Sequence, residues 1–172
     1  MHLWDLALRH GRTISVSMKR LFFIALAALV AATSLPAAEP SVIARWQSDR
    51  TQVFDASEVS LPELQWIARA VVVFADSPND PMFRQQMDLL LAEIDRLVER
   101  DVMLITDTDP AARNSVRLDL RPRGYALTVV GKDGRVLQRK PEPWSVRELT
   151  GSIDRTLLRQ QEIEDRRGAN IR

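Results

Sequence analysis

The sequence predicts an α/β fold, a mixed sheet of about four strands flanked by helices in the order β-α-β-α-β-β-α. Apolar, largely β-branched or aliphatic runs at 70–75 and 102–105 are typical of strands buried on both faces. A Gly-Lys-Asp-Gly turn at 131–134 joins strand 125–130 to a more polar return strand at 135–139. Strands joined through helices run parallel and hairpin strands antiparallel, so the sheet is predicted to be mixed.

Three helix starts separate or follow these strands. Asp80 and Pro81 begin a long helix that we expect to continue to about Arg100, because an aspartate caps free amides and proline suits the first helical position. The same pair recurs at 109–110 and predicts a shorter helix ending near Val116 or Leu118. A capping box at 145–148 starts the last helix. The apolar face of the long helix comprises Phe83, Met87, Leu90, Ile94, Leu97 and Val98.

The domain organisation is predicted from the two ends of the chain. Residues 18–38 have the pattern of a secretory signal peptide, a basic start, a short apolar run and small residues before the cleavage site. Residues 1–17 carry no such pattern, so we expect them to be an unstructured or spurious extension with Met18 as the true start. An uncleaved membrane anchor is the alternative. Residues 39–60 are a lead segment, residues 61–159 the folded domain, and residues 160–172 a charged tail that is expected to fray.

Removal of the leader would change the net charge of the chain and the residue types available for catalysis or metal binding. Cleavage after Ala38 takes four of the 24 basic and one of the 23 acidic side chains, leaving 20 and 22 and a formal charge of −2. Such a chain lacks the basic surface that nucleic-acid binding requires. Both histidines, His2 and His10, lie in the leader, and the chain has no cysteine. The mature protein is therefore predicted to lack disulfides, thiol or histidine catalysis, and the usual zinc, haem and iron–sulfur sites.

A short apolar segment precedes the first strand. The stretch Ser60-Leu-Pro-Glu-Leu-Gln-Trp-Ile-Ala-Arg69 predicts a short helix with Ser60 as its cap and Pro62 in its first turn. Trp46, Trp66 and Trp144 are far apart in sequence, and we expect each to close an edge of the core.

The order of elements resembles the thioredoxin-like fold, a three-layer sandwich. The stretches WIARAVVVFADSPNDPMFRQQ, ITDTDPAAR and RPRGYALTVVGKDGRVLQRKPEPW resemble the bacterial thioredoxin-like family known as domain of unknown function 4174, over roughly Leu61 to Leu158. The resemblance implies a peroxiredoxin-like shape and specifies no reaction.

The loop after the first strand occupies the place of the Cys-x-x-Cys motif in thioredoxins. By the resemblance, Pro78 and Pro81 stand at the two cysteine positions, or Ser77 and Asp80 in a register shifted by one residue. Neither register supplies a thiolate, so the resemblance implies the scaffold without dithiol chemistry. Pro122 lies two residues before the position of the cis-proline of thioredoxins, and the sequence leaves a cis Arg121–Pro122 bond open.

A candidate ligand-binding edge follows from the parallel strands, whose carboxyl ends share one edge of the sheet. Its oxygen ligands suit calcium or magnesium, yet aspartates here also serve as helix caps, so no metal is assigned. Its arginines and helix amides suit an anion, unless the arginines pair with neighbouring aspartates. Two of its carboxylates acting as acid and base are a third option. The candidate residues are Asp76, Ser77, Asn79, Asp80, Arg84, Asp107, Asp109, Arg121 and Arg123.

Together these observations predict an exported, periplasmic or secreted, thioredoxin-like domain that serves as a binding or structural module. No catalytic residue and no cofactor is assigned, and thiol–disulfide exchange is excluded. The expected partner is an envelope protein or a small ligand, with neither nucleic acid nor membrane after cleavage. The alternative is a thiol-independent or metal-assisted enzyme at the Asp-rich edge. A noncovalent chaperone partner for disulfide handling rests on fold analogy alone.

Overall fold

A five-stranded mixed sheet forms the centre of the protein. The computed structural model describes residues 39–169, and the predicted signal peptide and start site lie outside this range. The strands stand in the order β1-β3-β2-β4-β5, with β1 and β2 parallel to β3 and with β4 antiparallel to both β2 and β5. The strands are β1 (Val53–Asp55), β2 (Arg69–Phe74), β3 (Val102–Asp107), β4 (Ala126–Val130) and β5 (Val136–Lys140).

Helices cover both faces of this sheet, which confirms the predicted α/β, thioredoxin-like arrangement. Two short 3₁₀ helices, Leu61–Leu64 and Pro110–Ala112, lie in the connections. Within residues 39–169, no helix has the length and apolar character of a membrane span. The α-helices are α1 (Val42–Ser48), α2 (Pro81–Ala92), α3 (Ile94–Val98), α4 (Ser115–Leu120), α5 (Val146–Asp154) and α6 (Leu157–Ala169).

Several elements differ from the sequence-based expectation. The lead segment contributes α1 and the edge strand β1, so the sheet has five strands rather than about four. Strand β1 is only three residues long, too short for an alternating pattern to be recognised. The long helix expected from Asp80 to Arg100 is interrupted at Glu93, whose φ of −127° is not helical. Ser60 starts a 3₁₀ helix without a side-chain cap, and Asn114 rather than Asp109 caps α4.

The central strands divide the core into two apolar layers. Alternate residues of β2 point to opposite faces, so Val72 and Phe74 join one layer while Val71 and Val73 join the other. Trp46 from α1 is buried in the first layer, as expected for a tryptophan that closes the core. Trp66 is 64% exposed, which contradicts the same expectation. Trp144 is partly buried and packs against the second layer.

Charged side chains hold α6 against the amino ends of the strands. Arg69, at the start of β2, is 1% exposed and donates to both carboxylate oxygens of Glu162 at 3.2 and 3.0 Å. Lys132 and Arg159 also contact Glu162, each at 3.1 Å. Burial opposes ionisation of Glu162, but these hydrogen bonds outweigh burial and lower its pKa. The segment expected to fray is therefore a docked helix through Ala169.

Replacing Glu162 with glutamine should lower the free energy of unfolding at pH 7 by about 2 kcal/mol, because the buried Arg69 loses its charged partner while Glu162 itself keeps some solvent contact. The pKa of Glu162 is lowered in the folded state, so its contribution is complete above the unfolded pKa of about 4.3 and is lost as the pH falls through the folded value. Urea unfolding at pH 7 and pH 3 measures both effects.

The matched control is Glu164→Gln, an exposed residue on the same helix whose replacement should change the free energy of unfolding by less than about 0.5 kcal/mol. Equal stability of E162Q and E164Q at pH 7 would contradict the proposed role of Glu162.

Candidate functional site

An ion pair between Asp107 and Arg117 lies at the carboxyl edge of the sheet. Asp107, the last residue of β3, is 2% exposed, and its carboxylate accepts from Arg117 Nε at 2.8 Å and Nη2 at 3.0 Å. The side-chain amide of Asn114 donates to the same carboxylate at 3.0 Å, and the amide of Asp109 donates at 3.2 Å. All these bonds are internal, so Asp107 is committed to structure.

Arg117 also joins the ends of the two central parallel strands. Its Nη2 donates to the carbonyl of Ala75, just beyond β2, at 3.0 Å and to the carbonyl of Asp107 at 3.3 Å. Its guanidinium carbon stands 5.5 Å from the centre of the Phe74 ring, within cation–π range. One side chain from α4 therefore fixes the edge from which the candidate loop leaves the sheet.

The loop that replaces the Cys-x-x-Cys motif uses its polar groups locally. Asp80 caps α2, accepting from the amides of Met82 at 2.8 Å and Phe83 at 3.2 Å. The hydroxyl of Ser77 accepts from the amide of Asn79 at 3.2 Å. Asp76 is exposed, and a Cβ built on Gly124 would lie 3.9 Å from its carboxylate, so this loop approaches the loop before β4.

Behind this loop, a buried polar group joins α2, β4 and the start of α5. Gln86 is fully buried, and its carbonyl oxygen accepts from the hydroxyl of Tyr125 at 3.2 Å and from the amide of Trp144 at 2.7 Å. Its amide nitrogen donates to the carbonyl of Trp144 at 3.0 Å. Burial, with a smaller effect from the charge of Asp80, raises the pKa of Tyr125. The phenol is therefore neutral at physiological pH.

The structure brings together some of the predicted edge residues and not others. Asp109 caps the 3₁₀ helix Pro110–Ala112 through the amide of Ala111, outside the loop that carries Asp76 and Asp80. In the described part of the chain, no three acidic, histidine or cysteine side chains are placed to hold a metal ion. Arg84, Arg121 and Arg123 form no ion pair within residues 39–169, so the alternative in which they pair with neighbouring aspartates is not observed there. The Arg121–Pro122 bond is trans.

Sequence reasoning missed Arg117 and Gln86, for different reasons. Arg117 follows Asp107 by ten residues across a 3₁₀ helix and a bend, so no local spacing rule connects the two. Gln86 did carry a signal, because it follows Phe83 by three residues and precedes Leu90 by four, which puts a polar side chain on the apolar face of α2.

A groove lies beside the β4–β5 hairpin, on the side of the first core layer. Its volume is about 430 Å³, and its lining combines apolar and polar side chains. Trp66 follows the groove residue Gln65 directly and has a φ of 65°, in the left-handed region. Its amide donates to the carbonyl of Lys132 at 2.7 Å, which fixes this backbone against the hairpin. The lining includes Leu61, Pro62, Gln65, Asp133, Val136 and Arg139.

Replacing Asp107 with asparagine should lower the free energy of unfolding by about 3 kcal/mol, because Arg117 would remain largely buried without a charged partner. The pair Asp107→Leu with Arg117→Met should recover much of that loss. Chemical denaturation of the three proteins measures both effects.

The control is Asp76→Asn at the same edge, where an exposed side chain should contribute less than about 0.5 kcal/mol. A D107N protein as stable as the D76N protein would show that Asp107 is not a structural residue.

The chain matches a protein family over most of the described domain. The family described as Domain of unknown function (DUF4174) matches residues 60–162. Among solved structures, the chain is similar to the reduced 2-Cys peroxiredoxin of Plasmodium vivax, with 16% identity and a TM-score of 0.45, covering 56% of this chain and 81% of that one. No curated protein matches. Since the family match spans more than half of the sequence, the protein belongs to the DUF4174 family.

Proposed function

We propose that the protein is an exported binding module that docks a segment of a partner protein in the groove beside Trp66. The chain has no cysteine, and apart from the exposed Asp76 the carboxylates at the edge where thioredoxins carry theirs are committed to caps and to the Asp107–Arg117 pair. An enzyme at that edge would need carboxylates free to reach a substrate. The observed contacts favour binding over the alternative of a thiol-independent or metal-assisted enzyme.

The exposure of Trp66 is the observation that carries this proposal. A large aromatic residue in the left-handed region stores backbone strain, and such strain concentrates at functional positions. Burying this ring would remove a large apolar surface from contact with water. Tryptophan is among the residue types most enriched at the positions that contribute most of the binding energy of interfaces. Ile67, which is 37% exposed, extends the apolar surface.

The groove, whose lining residue Gln65 directly precedes Trp66 in sequence, suits an extended polypeptide. Its volume falls in the range of pockets that enclose a few side chains. Leu61, Pro62 and Val136 offer an apolar lining. The Gln65 amide nitrogen donates to the carbonyl of Asp133 and the Asp133 carboxylate accepts from the amide of Arg135, so the side-chain carbonyl of Gln65 and the second carboxylate oxygen of Asp133 are the acceptors left for a peptide backbone. The proposed occupant is therefore an extended segment of a partner protein. It places one apolar side chain in the groove, and its backbone amides and carbonyls on either side are free to form hydrogen bonds.

Replacing Trp66 with glycine should abolish docking without lowering stability, because glycine adopts a φ of 65° without strain. With a photo-crosslinking residue at Glu63, we expect one discrete partner adduct in cells and at least a tenfold lower yield in the Trp66→Gly protein, which corresponds to an anchor of about 1.4 kcal/mol or more.

The matched control places the crosslinker at Leu91, an exposed apolar position on α2, where no such adduct is expected. Equal adduct yields with and without Trp66, at unchanged melting temperature, would refute docking at this groove.

Export is the second part of the proposal and has its own test. Expressed in a Gram-negative host, the full chain should appear in the periplasm with Glu39 as its first residue, as amino-terminal sequencing would show. Leu26→Arg interrupts the apolar run of the leader and should leave the chain unprocessed in the cytoplasm. An unprocessed native chain would contradict cleavage after Ala38.

A further inference from the structure

Four basic residues line a second pocket, between the loop before β4 and the end of β5. The pocket has a volume of about 240 Å³, and its walls include Pro122, Tyr125 and Pro141. It lies at the start of β4, whereas the groove beside Trp66 reaches the end of that strand, and the two share only Arg139 among their lining residues. Its charged lining residues are Arg121, Arg123, Arg139 and Lys140.

None of these four cations is neutralised by an ion pair within the described residues 39–169. Arg139 donates to the carbonyl of Leu120, and the Lys140 ammonium stands 4.6 Å from the centre of the Trp144 ring. Like charges that share a pocket repel one another, and an anion bound between them relieves that repulsion. By contrast, Glu162 neutralises Arg69 and Lys132 at the other end of the sheet.

The backbone around the pocket is held in place before any ligand binds. Arg121 has a φ of 48°, and its amide donates to the carbonyl of Arg117 at 2.8 Å, which closes α4. Pro122 has its own φ fixed by the proline ring. Because Arg117 is itself fixed by Asp107, the position of Arg121 depends on the buried ion pair. Such preorganisation lowers the entropy lost on binding.

The polar groups that border the pocket leave its positive charge in excess. The hydroxyl of Tyr125 is bonded to Gln86, and burial raises its pKa, so the ring adds no negative charge. Asp76 approaches the neighbouring Gly124, the charge of Asp80 acts on Tyr125, and Glu142 follows Pro141 in sequence. These carboxylates supply at most three negative charges against the four cations that line the pocket, and solvent screens both sets.

We propose that this pocket binds a phosphate group. Arginine guanidinium groups match the geometry of phosphate oxygens and bind them with two parallel hydrogen bonds, and the lysine adds a point charge. The volume accommodates a phosphate ester rather than a large organic ligand. The phosphate is carried either by a small solute or by a lipid headgroup.

The test uses the full exported chain and inorganic pyrophosphate as the probe. Calorimetric titration should detect binding to the native protein, and Arg121→Gln with Arg123→Gln should weaken it at least about tenfold because two phosphate contacts are lost. The control, Arg147→Gln with Arg167→Gln, removes the same charge at two exposed arginines without ion pairs among the described residues and should stay within about twofold. Lys140→Gln, expected to weaken binding as well, replaces the double variant if that variant does not fold.

Vesicles separate the two sources of phosphate. Binding to phosphatidylglycerol but not phosphatidylcholine vesicles, with loss in R121Q/R123Q, assigns a lipid headgroup, and pyrophosphate binding without vesicle binding assigns a solute. The proposal is overturned if the protein binds neither pyrophosphate nor vesicles. It is also overturned if the control double variant weakens binding as much as R121Q/R123Q does. Trp66→Gly should leave pyrophosphate binding unchanged, so failure of the groove and failure of this pocket are distinguishable.

Discussion

The buried pair of Asp107 and Arg117 determines how the carboxyl edge of the sheet is arranged. Arg117 reaches from α4 to the carboxylate at the end of β3 and to the carbonyl just beyond β2, so one guanidinium fixes two strands and the helix between β3 and β4. Two buried charges are costly to desolvate, and only bidentate geometry with further hydrogen bonds offsets that cost. Asn114 supplies one of those further bonds. The edge is therefore rigid, and its central charges are unavailable to a ligand.

This constraint explains which surfaces remain available for binding. In thioredoxins, the loop that corresponds to the one after β2 carries the Cys-x-x-Cys motif at this edge. Here the side chains of Asp80 and Ser77 instead accept hydrogen bonds from backbone amides of the loop and of the helix that follows it. The two candidate binding surfaces lie along the β4–β5 hairpin, the groove toward its turn and the basic pocket at its open end, next to this edge. One presents an exposed tryptophan beside a mixed groove, and the other presents cations without ion-pair partners among the described residues.

The sequence predicted those parts of the fold that depend on local chemistry. Asp80 and Ser145 cap helices where their side chains were expected to do so, and the Gly131–Gly134 turn joins β4 to β5. Long-range contacts were not predictable in the same way. The tail was predicted to be solvated, but Glu162 docks it by pairing with Arg69. This contact was not predictable because Arg69 lies 93 residues earlier, and the charges of a helix give no indication of a distant buried cation.

The candidate site was likewise predictable only where its residues are close together in the sequence. Arg121 and Arg123 were predicted as candidate site residues because they flank a proline turn. The proposed phosphate site also needs Arg139 and Lys140, which the hairpin brings to the same pocket. Pairing of β5 with β4 sets Lys140 opposite Leu127 and Arg139 opposite Thr128, next to the loop that precedes β4. Successive residues of a strand point to opposite faces, so Arg139 reaches Leu120 on the side of the first core layer and Lys140 reaches Trp144 on the side of the second. The bulge between Val129 and Val130 adds one residue to β5 between the turn and these pairs, so the bulge determines which residues of β5 lie opposite Thr128 and Leu127, next to the loop that carries Arg121 and Arg123.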